Sequence, residues 1–218
     1  MFLGGSSDIR RTASTALAYG DEIRRLLEEL GRHDVVVVLP SDISGISSAI
    51  GMREYLLELA ASNPGKKLVV DLPLFTKELS YRGSFQTRDG ESTPYWNDWL
   101  KRTGGDVEDW FENWNRDSKL MGPDPNKVAE MQLHGIGRLR RLASQCFPDG
   151  RPLLIGAVGH SLTLDALAVF LANGGEVTVD AFRELGGLLI GETQMISVTV
   201  GQDGKQVFRY GDVEMPLE

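Results

Sequence analysis

In the stretch Leu153-Leu154-Ile155-Gly156-Ala157-Val158-Gly159-His160-Ser161-Leu162-Thr163-Leu164-Asp165-Ala166-Leu167, an uncharged apolar run stops at a glycine and an apolar stripe resumes beyond Ser161. Leu153 to Val158 is too short for a helix and too apolar for a loop, which predicts a strand buried in a parallel sheet. Leu162 to Ala172 predicts the helix that follows, ended by Asn173-Gly174-Gly175. Gly159-His160-Ser161 then lies where the strand ends and the helix begins. Ligands of open α/β sheets gather there, at unpaired N–H groups carrying partial positive charge. His160 in that place can act as a general acid, as a nucleophile or as a cationic donor to an anion, while glycine permits close backbone approach. The plain structural alternative is a histidine at the sheet edge with no chemical task.

Upstream, Ile9, Ala13, Ala16, Leu17, Ile23, Leu27 and Leu30 recur at helical spacing, so a helix is expected from Asp8 to Leu30, capped by Ser7 or Asp8 and stopped at Gly31. Val35-Val36-Val37-Val38-Leu39 predicts a buried strand, and Ser41-Asp42 a cap for a helix through Leu59. Asn63-Pro64-Gly65 predicts a turn, and Leu68-Val69-Val70-Asp71-Leu72 a second buried strand. Residues 80–125 are rich in Gly, Pro, Asp and Asn and hold Trp96, Trp99, Trp110 and Trp114, which predicts an insertion of short helices capping the sheet. The Trp spacings suit docked amphipathic helices, with a ligand-stacking surface as the rival. A long helix is expected from Pro125 to Phe147, with Arg138, Arg140 and Arg141 on a solvated face and His134 partly buried for structural reasons. Near the end, Gln194 to Val200 and Gln206 to Tyr210 read as a hairpin joined through Asp203-Gly204.

This order predicts one α/β domain over residues 1–218, a three-layer α/β/α sandwich around a mostly parallel central sheet. A net charge of −8 argues against nucleic acid as a partner, because phosphate-backbone affinity rests on clustered Lys and Arg. A single cysteine, Cys146, and three scattered histidines offer no metal-ligand spacing and no internal disulfide, so neither metal nor cofactor is expected. Met1 to Ser7 has no basic leader region, and no apolar run reaches about 18 residues. A soluble, cytoplasmic protein with no membrane partner is expected.

Val158-Gly159-His160-Ser161-Leu162 resembles the G-x-S-x-G elbow of the α/β-hydrolases, with Ser161 as the nucleophile of an esterase. Thr163 replaces that motif's second glycine, and no histidine follows His160 to serve as base. Ser161→Ala separates this reading from its rivals. Leu154 to Leu167 looks more like the C-terminal motif of the histidine phosphatase superfamily, the phosphoglycerate-mutase-like proteins: a strand ending in His, a small residue, and an apolar helix. The remaining order of predicted elements is similar to that family as well, except for its first strand.

The resemblance implies phosphomonoester hydrolysis or mutase chemistry without metal. A first His in an Arg-His-Gly motif takes the phosphoryl group, a second His and Arg side chains hold the phosphate, and a carboxylic acid protonates the leaving oxygen. His160 corresponds to the second His and Glu78 to the acid. Arg10 and Arg11, with Ser161, correspond to phosphate ligands if Ser7-Asp8-Ile9-Arg10-Arg11-Thr12-Ala13 is the family's Arg-bearing stretch. The competing segment, Ser41-Asp42-Ile43-Ser44-Gly45-Ile46, fits better by position but has Gly45 in place of the Arg. His33 falls in an exposed turn. The chain contains no Arg-His-Gly, so two hypotheses stand on whether it is an enzyme. Either the first strand and its nucleophile are missing from this chain, or the chain is a degenerate relative that binds a phosphoanion or another protein without catalysis. The expected ligand is phosphate or a small phosphorylated metabolite, and a sheet lacking its first central strand is expected to pair edge to edge as a homodimer.

Overall fold

The computed structural model describes residues 2–6, 10–46, 48–75, 77–80, 82–147, 154–191, 194–201, 203 and 205–217, with the side chains of 2–6, 10–13, 49, 72–75 and 77 outside the description. The fold is mixed α/β, with a small parallel sheet and a separate antiparallel one. Two compact units are formed, one by Met1–Leu79 with His134–Val158 and the other by Ser80–Leu133 with Gly159–Glu218.

In the first unit, strands β1 (Phe2–Ser6), β2 (Val35–Val38), β3 (Lys67–Phe75) and β4 (Leu154–Ile155) lie parallel in the order β2-β3-β1-β4. Phe2 stands opposite Val69 of β3 on one side and Leu154 of β4 on the other. This corrects the expectation of a sheet without its first strand. Residues 2–6 occupy the place between β3 and β4. The segment escaped the sequence reading because Phe2-Leu3-Gly4-Gly5-Ser6 has two glycines in five residues and no β-branched side chain.

Helix α1 (Arg10–Glu29) ends in a left-handed glycine cap at Gly31, φ +62°. Arg32 N–H donates to the Leu27 carbonyl at 2.9 Å and Gly31 N–H to Glu28 at 3.1 Å, so the terminal carbonyls of the helix are satisfied. Gly20 lets α1 approach β3. A Cβ there would stand 2.8 Å from Leu39 Cδ2 and 2.9 Å from Asp71 Oδ2. Gly20→Ala gains about 1 kcal/mol of helix propensity and loses about 1–3 kcal/mol to overpacking. Net destabilisation is expected, read as a lower urea midpoint; a raised midpoint would refute the close approach.

Two expectations fail locally in this unit. Ser41-Asp42 does not cap a helix running to Leu59; Pro40–Ile43 is a 3-10 turn in which Asp42 accepts from the Leu39 N–H at 2.8 Å and pairs with Arg24. Helix α2 (Ala49–Ser62) begins later, capped by Ser48, whose Oγ accepts from the Gly51 N–H at 3.0 Å. The second failure concerns Leu153 to Val158. Among the described residues β4 pairs at Leu154 and Ile155, at the edge of the sheet, and Leu154 is 64% exposed where a buried strand was expected. The core of this unit gathers Leu56 and Met52 of α2, Leu68 and Val70 of β3, and Leu139 and Ala143 of α5 (Pro125–Cys146).

The second unit is built on α3 (Pro94–Thr103), α4 (Val107–Asn113), α6 (Ser161–Ala172), α7 (Val179–Glu184) and an antiparallel sheet of β5 (Ile196–Val200), β6 (Gln206–Tyr210) and β7 (Val213–Leu217). The expected terminal hairpin therefore gains a third strand and stands apart from the parallel sheet. Gly211, φ +55°, begins the two-residue turn into β7. Trp99 and Trp110 are fully buried with Phe85, Phe182 and Phe208, which makes the Trp-rich segment core. Gly122 meets the same core closely, its Cα facing the ring of Tyr95 where a Cβ would come within 2.4 Å.

Candidate functional site

His160 is the N-cap of α6 in the second unit, five residues beyond the end of β4. Its backbone is extended, φ −115° and ψ 142°, which turns the chain out of the preceding segment and into the helix. The carbonyl of His160 accepts from Thr163 Oγ1 at 3.0 Å and from the Leu164 N–H at 2.9 Å, closing the first turn. Its side chain makes no capping bond to the helix, and the residue is 5% exposed. Gly159 fits for a steric reason, since a Cβ there would lie 3.1 Å from Leu164 Cδ2. Ser161 follows as the first helical residue and is exposed. A buried imidazole, an exposed hydroxyl and the first-turn N–H groups thus stand together at one helix start, an arrangement that suits an anion.

Glu78, of the first unit, lies in the 3-10 turn Lys77–Leu79. Its Oε1 accepts from Arg138 Nη1 at 2.7 Å, with His134 Nδ1 3.7 Å away. Burial favours the neutral carboxyl, but its own backbone N–H, Arg138 and His134 outweigh burial and hold the group below the usual carboxylate range. A proton donor at neutral pH needs the opposite shift. This geometry makes Glu78 an ion-pair anchor for the C-terminal half of α5. His134, expected to be partly buried, is exposed beside it, because helical periodicity alone does not say which residues flank the buried stripe.

Arg10 and Arg11 occupy the first turn of α1, and their side chains lie outside the described residues. His33 sits in the exposed turn before β2. It borders an open depression of about 450 Å³ lined also by Arg24, Glu28, Arg32 and Lys66. The guanidinium groups there are already committed, Arg24 to Asp42 and the Val37 carbonyl, and Arg32 to both oxygens of Asp34 at 2.7 and 2.8 Å.

Two buried carboxyl groups were not singled out by the sequence reading. Asp71, in the middle of β3, is 4% exposed, and among the described residues its Oδ2 has no hydrogen-bond partner; burial first, and then the charge of Asp21, push its carboxyl up to about 6. Asp165, in the middle of α6, is fully buried and accepts the Ile190 N–H at 2.8 Å. In each case the signal was a lone Asp inside an apolar run, Val69-Val70-Asp71-Leu72 and Leu164-Asp165-Ala166-Leu167. Among the described residues no three His, Cys, Asp or Glu side chains converge as a metal site, and no helix is long and apolar enough to cross a membrane.

No family model matches this sequence, and no curated protein and no solved structure matches it.

Proposed function

We propose that this chain is a degenerate member of the histidine phosphatase superfamily, a three-layer α/β/α protein. It binds phosphate or a small phosphorylated metabolite through His160 and the start of α6 without transferring the phosphoryl group. The observation that carries the reading is β1. A central parallel strand precedes α1, as the family's order requires, and it ends in Gly4-Gly5-Ser6 where the resemblance puts Arg-His-Gly. Glycine and serine are the residue types at that place. They offer no nucleophile of the imidazole type. The ion pair that keeps Glu78 charged agrees with an absent leaving-group acid.

The test is calorimetric titration with inorganic phosphate, together with an assay of para-nitrophenyl phosphate hydrolysis. Saturable phosphate binding is expected, weakened about tenfold or more in His160→Ala, since a hydrogen bond to a charged group contributes about 1.5–3 kcal/mol. Hydrolysis is expected to be absent. Turnover abolished by His160→Ala would restore the enzyme reading, and failure to bind phosphate would remove the anion from it.

A further inference from the structure

Asp165 Oδ1 is approached by the Ile190 N–H at 2.8 Å and by Tyr210 Oη at 2.6 Å, and Tyr210 Oη is also 2.7 Å from the Leu188 carbonyl oxygen. A phenol has one proton to give. With Asp165 ionised, that proton goes either to the carboxylate or to the carbonyl, and the other pair of oxygens is left at hydrogen-bond distance with nothing between them. A proton on Asp165 Oδ1 removes the conflict. The acid donates to Tyr210 Oη, Tyr210 donates to the Leu188 carbonyl, and the Ile190 N–H still donates to Oδ1. Burial acts in the same direction. It pushes the Asp165 carboxyl up to about 7 against the bonds from Tyr210 and Ile190, and it raises the Tyr210 phenol too, so that Tyr210 keeps its proton.

Tyr210 is the titratable group that β6 turns toward Asp165, and the connection after α7 presents the backbone of Leu188 and Ile190. Among the described residues Asp165 forms no ion pair. The segment held in this way begins at Gly186 and Gly187, both with positive φ, and its Leu188 side chain is 76% exposed. Ile190 buries its side chain in the core of the unit, and the backbone bonds to Asp165 and Tyr210 tie down the remainder of the stretch, whose Leu188 side chain is exposed.

We propose that Asp165 and Tyr210 form a proton-dependent clasp on the Leu188–Ile190 segment. With the proton in place both ends of the segment are tied to α6 and β6; when Asp165 gives its proton up, Tyr210 turns to the carboxylate and the Leu188 carbonyl loses its donor. The sign follows from linkage. The closed state holds the proton to higher pH than an opened segment, in which Asp165 reverts to about 4. Closure is strongest in acid, weakens as pH rises through that window, and levels off once the closed state is ionised.

The experiment uses the whole chain, with site-resolved carbon NMR on the Asp165 carboxyl and amide exchange at Ile190. The carboxyl is expected to titrate near neutrality, and the Ile190 protection factor to fall about tenfold or more between about pH 5 and about pH 7. Tyr210→Phe, which deletes the donor to Leu188, is expected to show low protection already at the acid end. An Asp165 that titrates in the ordinary carboxylate range, or an Ile190 protection factor indifferent to pH, overturns the clasp. Both readouts are made on the unmodified chain, so a variant that fails to fold does not blunt the test.

Discussion

Trp110→Ala is expected to remove about 3–5 kcal/mol from the stability of the second unit, a large part of the roughly 5–15 kcal/mol that holds a typical domain folded. Trp110 has no exposed surface, and its Nε1–H donates to the Pro123 carbonyl at 2.8 Å. Its ring meets Phe85 edge-on at 4.9 Å between centroids and Phe111 at 5.1 Å. Alanine would leave a cavity among aromatic rings that cannot collapse without leaving their rotamers, and would leave the Pro123 carbonyl without its donor. Trp110→Phe keeps most of the ring contacts and is expected to cost about half as much or less, the difference reporting the lost hydrogen bond and the volume change. Urea unfolding followed by near-ultraviolet circular dichroism reads both. A Trp110→Ala loss below about 1 kcal/mol would mean that this cluster is not the core of its unit.

The matching experiment on the first unit is Leu56→Ala, expected to cost about 2–5 kcal/mol. Leu56 is fully buried on α2, in the cluster that includes Leu68 and Val70 of β3 and Leu139 and Ala143 of α5. The expected spread is wide because the cost depends on how far the neighbours relax into the space. Ala143 has little side chain to move, and Leu68 and Val70 are held by strand pairing, which places the expectation in the upper part of the range. Leu30→Ala serves as the control. Leu30 follows α1 and is 71% exposed, so its truncation is expected to change stability by no more than about 0.5 kcal/mol. Thermal unfolding of both variants checks the pair, and equal effects would contradict the burial assigned to α2.

Much of the secondary structure was legible because it rests on local signals. Gly31 marks the end of α1 through its positive φ, and the four-valine run becomes β2 because branched side chains suit a pleated surface. The Trp spacing forecast docked helices, and Trp99 and Trp110 are buried accordingly. Where local signals compete, the reading failed. Ser41-Asp42 offers a cap to any helix that follows, but Pro40 and the Asp42 bond to Leu39 close a 3-10 turn first, so Ser48 caps α2 instead. The turn at Gly211-Asp212 before β7 carried a two-residue hairpin signal that the reading did not use.

The candidate site divides along the same line. That His160 stands at the start of a helix follows from the glycine before it and the apolar stripe after it, both properties of a short stretch of chain. Glu78 was chosen by resemblance, and what surrounds it depends on Arg138 and His134, more than fifty residues away in the chain.

By itself the sequence determined the long helices α1, α5 and α6, the strands β2, β3, β5 and β6, the glycine stop at Gly31, and the place of His160 between an apolar run and an apolar helix. These depend on backbone preference and periodicity, which act over a few residues. Only the tertiary structure decided that Phe2–Ser6 is a central strand, because a glycine-rich segment becomes a strand when two neighbours supply its hydrogen bonds and not through its own propensity. It likewise decided that Asp165 is tied to Tyr210, 45 residues on, since the burial and the partners of a carboxyl group are set by which distant segments fold around it.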